Sequence, residues 1–385
     1  MMKNKFDEQC ITPSQMNMIF NMRVFWRRLS TWIRIYIISR YLGVGTAEEA
    51  FERLYIENSY FGDALRIPFN RSSSDKYSQL MNQFSIGIRE LITARIQGDT
   101  NTLRQDIDLL LQNADERAAF LASINPYFDE EEWKNLLVTY LQDTMEEANL
   151  FATKDFRMDI EYFDRLIELS NKLGDTFAEG LYDFITSGGD QTIDAPPQEG
   201  QKCLTIDQVN ALFNIGIFWF DLNNWIRAFM LSRYQSVGNE NEVYSRLQKA
   251  LSDFVSNMKM IFGETPEVNE LQLQLKAYIG LIDSLITAQK AGDTEGLDRI
   301  IRQLYLSADN IAASLAAINP YWDQSEWKNR LYNQLRSTIE QSTMFLTEDY
   351  ARNMDVFSML LALSESSGDY LVQGVLYQMF QSQSQ

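Results

Sequence analysis

The stretch I-N-P-Y-F-D-E-E-E-W-K-N, Ile124 to Asn135, returns later in the chain as I-N-P-Y-W-D-Q-S-E-W-K-N, Ile318 to Asn329. Two copies of so irregular a string predict a tandem duplication of one module. Its local meaning is a helix–turn–helix junction. A proline pushes the residue before it out of the α region, so Asn125-Pro126 and Asn319-Pro320 end one helix. Asp129 with Glu132, and Asp323 with Glu326, then open the next as D-x-x-E caps. The acidic run Glu130 to Glu132 needs no further cause, since carboxylates in a first turn complement the helix dipole.

Working outward, the first helix of each copy carries the plainest pattern. Thr12, Pro13 and Gln15 read as cap, first helical residue and reciprocal cap, and Thr205 and Gln208 repeat the signal. The inward stripe Met18, Met22, Phe25, Leu29, Trp32 and Tyr36 steps by four and three, and it recurs as Ala211, Ile215, Phe218, Leu222, Trp225 and Phe229. Gly43 and Gly45 end this helix, with Thr46 and Asn239 expected to cap the next. That second helix is expected to be short, followed by a loop from Asn58 to Ser74. A third helix runs to Gly98, Thr100 caps a fourth, and Thr153 and Thr347 are expected to cap the last helix of each copy.

No stretch alternates with period two, so the chain is predicted all-α: two homologous antiparallel bundles of five or six helices, up-down and ferritin-like in character. The expected boundaries are 1–187 and 204–385, joined by the Gly/Pro-rich linker 188–203.

Composition excludes several functions. There is no histidine, which removes Ser-His-Asp and Cys-His nucleophiles and a Glu-x-x-His di-iron centre. Neither G-x-x-x-x-G-K-[ST] nor G-x-G-x-x-G occurs, so nothing points to nucleotide binding. A net charge of −19 repels a phosphate backbone, and no nucleic-acid partner is expected. The most apolar run, Met16 to Tyr41, holds five arginines, which does not suit a membrane span. Without a secretory signal in the first ten residues, a cytoplasmic location is expected.

Candidate residues are few. Three pairs of acids are present in both copies, Asp115 with Asp309, Glu146 with Glu340 and Asp175 with Asp369; the first two pairs are the fallback metal ligands, and a helix-surface or capping charge explains each of the three. No catalytic residue and no cofactor is assigned. Between Gln9 and Ala47 the chain has arginines and no carboxylate, making Arg23, Arg27, Arg28 and Arg34 a candidate assembly surface; the alternative is that they pair with acids of the same molecule. The repeated W-I-R, Trp32 to Arg34 and Trp225 to Arg227, predicts a buried Trp beside an arginine that reaches a carboxylate on a neighbouring helix. Cys10 and Cys203 read as free thiols, and sequence leaves open whether they come within disulfide range.

At W-x5-W-I-R, L-I-T-A, N-A-D (S-A-D in the second copy) and I-N-P-Y-x-D-x-x-E-W, each half resembles an uncharacterised family of small helical proteins from spore-forming Firmicutes, sometimes labelled acetylglutamate kinase. The resemblance runs from Phe25 to Gly180 and from Phe218 to Gly374. It implies a helical bundle whose relatives hold inward histidines. Here those positions are Leu29, Phe84 and Tyr140, and Leu222, Tyr278 and Gln334, so apolar filler is expected in place of a reactive centre. The expected function is a non-enzymatic, self-associating structural protein connected with sporulation; the alternative is a ligand- or metal-binding bundle with a carboxylate-only site.

Overall fold

The computed structural model describes residues 10–187 and 202–382 and divides the chain into two compact units, Met1–Thr205 and Ile206–Gln385. The expected linker falls mostly outside the described residues. Thirteen helices and one isolated β-bridge account for the regular structure of those described, so the protein is all-α. No helix among them is long and apolar enough to cross a membrane.

In the first unit the order is α1 (Pro13–Leu42), α2 (Ala47–Arg66), α3 (Arg71–Gln97), α4 (Thr100–Ile124), α5 (Glu130–Ala152) and α6 (Phe156–Ser187). Each helix packs on the next across a short turn, and α6 returns against α1 to close the ring. The start of α1 is set by the expected reciprocal cap: Gln15 N–H donates to Thr12 Oγ1 at 3.3 Å and Thr12 N–H to Gln15 Oε1 at 2.7 Å. Its end is Gly43, whose φ of 65° suits a residue without a Cβ. From Phe25 to Ser39 almost every side chain of α1 is buried, as in a helix enclosed on all sides.

The second unit repeats this order with one change. Its first helix is broken into α7 (Ile206–Gly216) and α8 (Phe218–Gln235), followed by α9 (Glu240–Phe262), α10 (Pro266–Ala291), α11 (Thr294–Ile318), α12 (Gln324–Leu346) and α13 (Tyr350–Ser382). The break lies where the α7–α8 backbone meets α13: a Cβ on Gly368 would strike the Gly216 carbonyl.

Several local expectations are corrected. The segment from Asn58 is helical to Arg66, because Leu54, Asn58, Phe61 and Leu65 form one buried stripe, with Asn58 Nδ2 donating to Asn82 Oδ1 and Ser85 Oγ at 3.0 Å each. Thr46 and Asn239 make no cap bond; they turn back to Ser39 and Ser232 instead. Asp99, not Thr100, caps α4, because its carboxylate reaches the N–H groups of Asn101 and Thr102. Thr153 and Thr347 close α5 and α12, and the carboxylates of Asp155 and Asp349 accept from the N–H of Met158 in α6 and of Arg352 in α13.

The cysteines are not free. Ile11 and Leu204 pair through two antiparallel backbone bonds of 3.0 and 2.9 Å, and beside this bridge Cys10 and Cys203 form a disulfide with Cα atoms 4.9 Å apart.

Candidate functional site

The arginines of α1 face inward. Arg23 Nε and Nη2 donate to the two oxygens of Asp175 on α6 at 2.6 and 2.9 Å, a bidentate pair. Arg27 Nε donates to Asn171 Oδ1 at 2.7 Å, and Arg28 Nη2 to Glu57 Oε1 on α2 at 2.7 Å. Arg23, Arg27 and Arg34 are all buried, and Arg28 is mostly covered. They form no outward patch, so the candidate assembly surface is corrected to an internal set of cross-ties between α1 and its neighbours. The physical reason is that four inward guanidinium groups need acceptors, and α2, α5 and α6 carry them at matching heights.

The deepest of these is Arg34. Its guanidinium donates to Glu147 on α5 and, through Nη1 and Nη2, to both oxygens of Asp159 on α6 at 3.0 and 2.7 Å, while lying 4.6 Å from the Phe163 ring centroid. One cation thus faces two carboxyl groups in a dry site. Burial lifts the Glu147 carboxyl to about 7, with Arg34 opposing the shift and Asp159 reinforcing it. Burial works against the Arg34 cation as well, but Asp159 and Glu147 outweigh it and raise its pKa above the ordinary value. Near neutral pH Glu147 is therefore the acid of the triad that gains and loses a proton.

The second unit has the same arginine and neither acid. The copies correspond at an offset of 193 residues through the first helix and 194 from I-N-P-Y onward. Arg34 corresponds to Arg227, Glu147 to Gln341 and Asp159 to Asn353. Arg227 is 3% exposed, Gln341 1% and Asn353 0%. The W-I-R expectation therefore holds for Arg34 and fails for Arg227, whose Nη2 meets Met354 Sδ at 3.1 Å between the rings of Phe345 and Phe357. Arg227 Nε, Gln341 Nε2 and Asn353 Oδ1 have no hydrogen-bond partner in the protein. Burial alone pushes the Arg227 guanidinium down to about 9.

A further buried arginine, besides those of α1 and α8, was missed in sequence. Arg117 on α4 is fully buried over the Phe84 ring, 4.5 Å from its centroid, with only Met81 Sδ near Nη1 at 3.6 Å, and burial pushes it down to about 10. The available signal was its partner in the second copy, Ile311, since an Arg/Ile exchange at one register marks an inward position.

The six inward positions where apolar filler is expected are closed, though not only by apolar groups. Leu29 and Leu222 are buried in the core. The Tyr140 hydroxyl is hydrogen-bonded to Ser30 Oγ at 2.7 Å, and Ser30 to Ser170 at 2.9 Å. In the second unit Asn223 Nδ2 donates to Gln334 Oε1 at 2.7 Å and to Ser364 Oγ at 2.9 Å. The expectation of apolar filler is corrected at these two positions, where a closed polar knot ties three helices together.

The repeated acids lie elsewhere. Asp115 pairs with Lys134 at 3.1 Å with both side chains about half exposed, Asp309 with Lys328 at 2.9 Å, and Glu340 with Arg352 at 2.7 Å. Glu146 is half-buried on α5. The fold brings none of them together, and among the described residues no three His, Cys, Asp or Glu side chains are grouped to hold a metal. Comparison with family models, curated proteins and solved structures finds no match to this chain.

Proposed function

We propose that the chain is a non-catalytic structural protein, built from a duplicated helical module and acting through self-association. The observation that carries this reading is the closed pair of polar knots, Ser30–Tyr140–Ser170 and Asn223–Gln334–Ser364, at the positions where the resembled family has histidines. Side chains that satisfy one another in this way stiffen a bundle and leave little for a substrate to engage.

Two features shape how copies would meet. The arginines of α1 turn inward together with Glu57, Glu147, Asp159 and Asp175, so the net charge of −19 remains with the surface. Like-charged copies repel, so assembly is favoured by screening. The Cys10–Cys203 disulfide supports an oxidising setting, such as a spore surface, over a reducing cytoplasm.

Light scattering after size exclusion, with negative-stain microscopy, tests the reading. The expected result is a homo-oligomer or ordered particle whose population grows as monovalent salt rises. A strict monomer at high protein concentration under all these conditions overturns it. The competing carboxylate-only metal site, at Asp115, Glu146, Asp309 and Glu340, predicts a thermal shift across a metal panel; on the structural reading that panel is flat.

A further inference from the structure

We propose that the second unit is a receptor for a small monovalent anion of halide type, held at Arg227 and Gln341 in place of the counter-charge that Asp159 supplies in the first unit. The site is independent of the assembly described above.

The inference rests on what differs between two equivalent centres. Gln341 is the fixed neutral counterpart of a protonated Glu147, so that exchange changes little while the acid holds its proton. Asn353 for Asp159 is different. It keeps the shape and removes one full negative charge, leaving a buried guanidinium with no carboxylate against it. An isolated buried charge is costly, and arginine cannot escape by losing its proton at neutral pH.

The neighbours do not settle the balance. Met354 sulfur is a weak acceptor, the two phenyl rings give a modest cation–π attraction, and the unpartnered Asn353 oxygen is neutral. Arg227 Nε and Gln341 Nε2 remain two donors without an acceptor. Those donors and one surplus positive charge call for one negative charge. The apolar surroundings of Met354, Phe345 and Phe357 favour a weakly hydrated ion such as bromide or chloride over sulfate or phosphate, whose dehydration costs more. Met354 stands where the first unit has Ile160, and its unbranched chain can move aside for an ion. A water molecule could satisfy the same donors but not the charge, which is why the test is anion-specific.

The experiment is calorimetric unfolding of the full chain in sodium gluconate, with sodium bromide substituted at constant ionic strength. Ligand binding to the folded state raises Tm with log concentration, and about 5 °C is expected for a hundredfold excess over the dissociation constant. The rise is expected in one transition and saturably. Asn353→Asp restores a built-in carboxylate and is expected to raise that transition in gluconate while abolishing its bromide dependence. Arg227→Met removes the charge and is expected to abolish the dependence too. The proposal is overturned if the unmodified chain gives equal transitions in gluconate and bromide, or if its bromide response survives both Asn353→Asp and Arg227→Met. Should either variant fail to fold, bromide titration of the unmodified chain, with sulfate as the comparison anion, decides alone: a response equal for both anions counts against the site.

Discussion

Glutamine differs from glutamic acid by an NH2 group in place of a hydroxyl, and that small difference separates the two arginine centres. In the first unit Glu147 titrates. Burial lifts its pKa from an unfolded 4.5 to about 7, so the folded chain binds more protons than the unfolded chain between those values. Its favourable contribution is complete below about pH 4.5 and is lost as pH rises through 7. Glu147→Gln is expected to flatten this slope, leaving stability at pH 5 nearly unchanged and raising it at pH 8 by on the order of 3 kcal/mol, since each tenfold change in proton affinity is worth ~1.4 kcal/mol. Urea titrations of variant and parent at pH 5 and 8 measure it; equal slopes would mean that Glu147 does not take up the triad's proton.

Asp159→Asn combined with Glu147→Gln gives the first unit the side chains of the second and takes both carboxylates away from Arg34. The expected cost in gluconate is ~3–5 kcal/mol, the range for breaking a buried pair from one side. Part of that loss should return in bromide, a response the parent triad lacks. Both acids are hard to single out in the sequence for an instructive reason. Carboxylates present in both copies stand out first, yet a position free to be Asp115 and Asp309 is one where solvent already satisfies the charge. Glu147 and Asp159 appear once each, opposite the amides Gln341 and Asn353, so neither shows up in a search for acids common to both units.

At the scale of elements, close backbone approach explains what composition hid. Gly174 of α6 lies against α1, where an added Cβ would come within 2.6 Å of the Arg23 backbone nitrogen. Gly174→Ala is expected to force α6 away from α1 and cost ~1–3 kcal/mol, with the Arg23–Asp175 pair disturbed. Gly280, inside α10, would place a Cβ in open space, so Gly280→Ala should instead stabilise by ~0.5–1 kcal/mol through helix propensity. Opposite signs for two glycine-to-alanine changes in helices, read by thermal melts, separate packing from propensity. The stripes of α1 and α4 were legible because their apolar residues recur at helical spacing. The end of α2 was not, since Asn58 and Gly62 interrupt the stripe: Asn58 is buried by side-chain amide bonds, and Gly62 is needed where α3 comes close. The missed caps have one cause as well. Threonine and aspartate both suit an N-cap, and which of two neighbours takes the role depends on where the preceding helix stops.

For the whole molecule, the all-α class and the recurrence of one helix order were readable from the I-N-P-Y repeat and its flanking stripes. The disulfide was not, because contact between residues 193 apart is decided by how the first ring closes. Cys10 and Cys203 fence the first unit, and cross-linking so long a loop removes chain entropy from its unfolded state worth up to ~5 kcal/mol. The second unit, Ile206–Gln385, lies outside that loop and gains nothing from it. Reduction, or Cys10→Ser, is therefore expected to lower the first unit's unfolding transition by on the order of 10 °C, at ~2–4 °C per kcal/mol for a unit of this size, and to leave the second where it was. Bromide and reductant should thus act on separate transitions of one calorimetric trace: bromide raises the unit that holds Arg227, and reductant lowers the unit that holds Arg34. A trace in which both agents move the same transition would place the ion and the disulfide in one cooperative body, contrary to the division of the chain at Thr205.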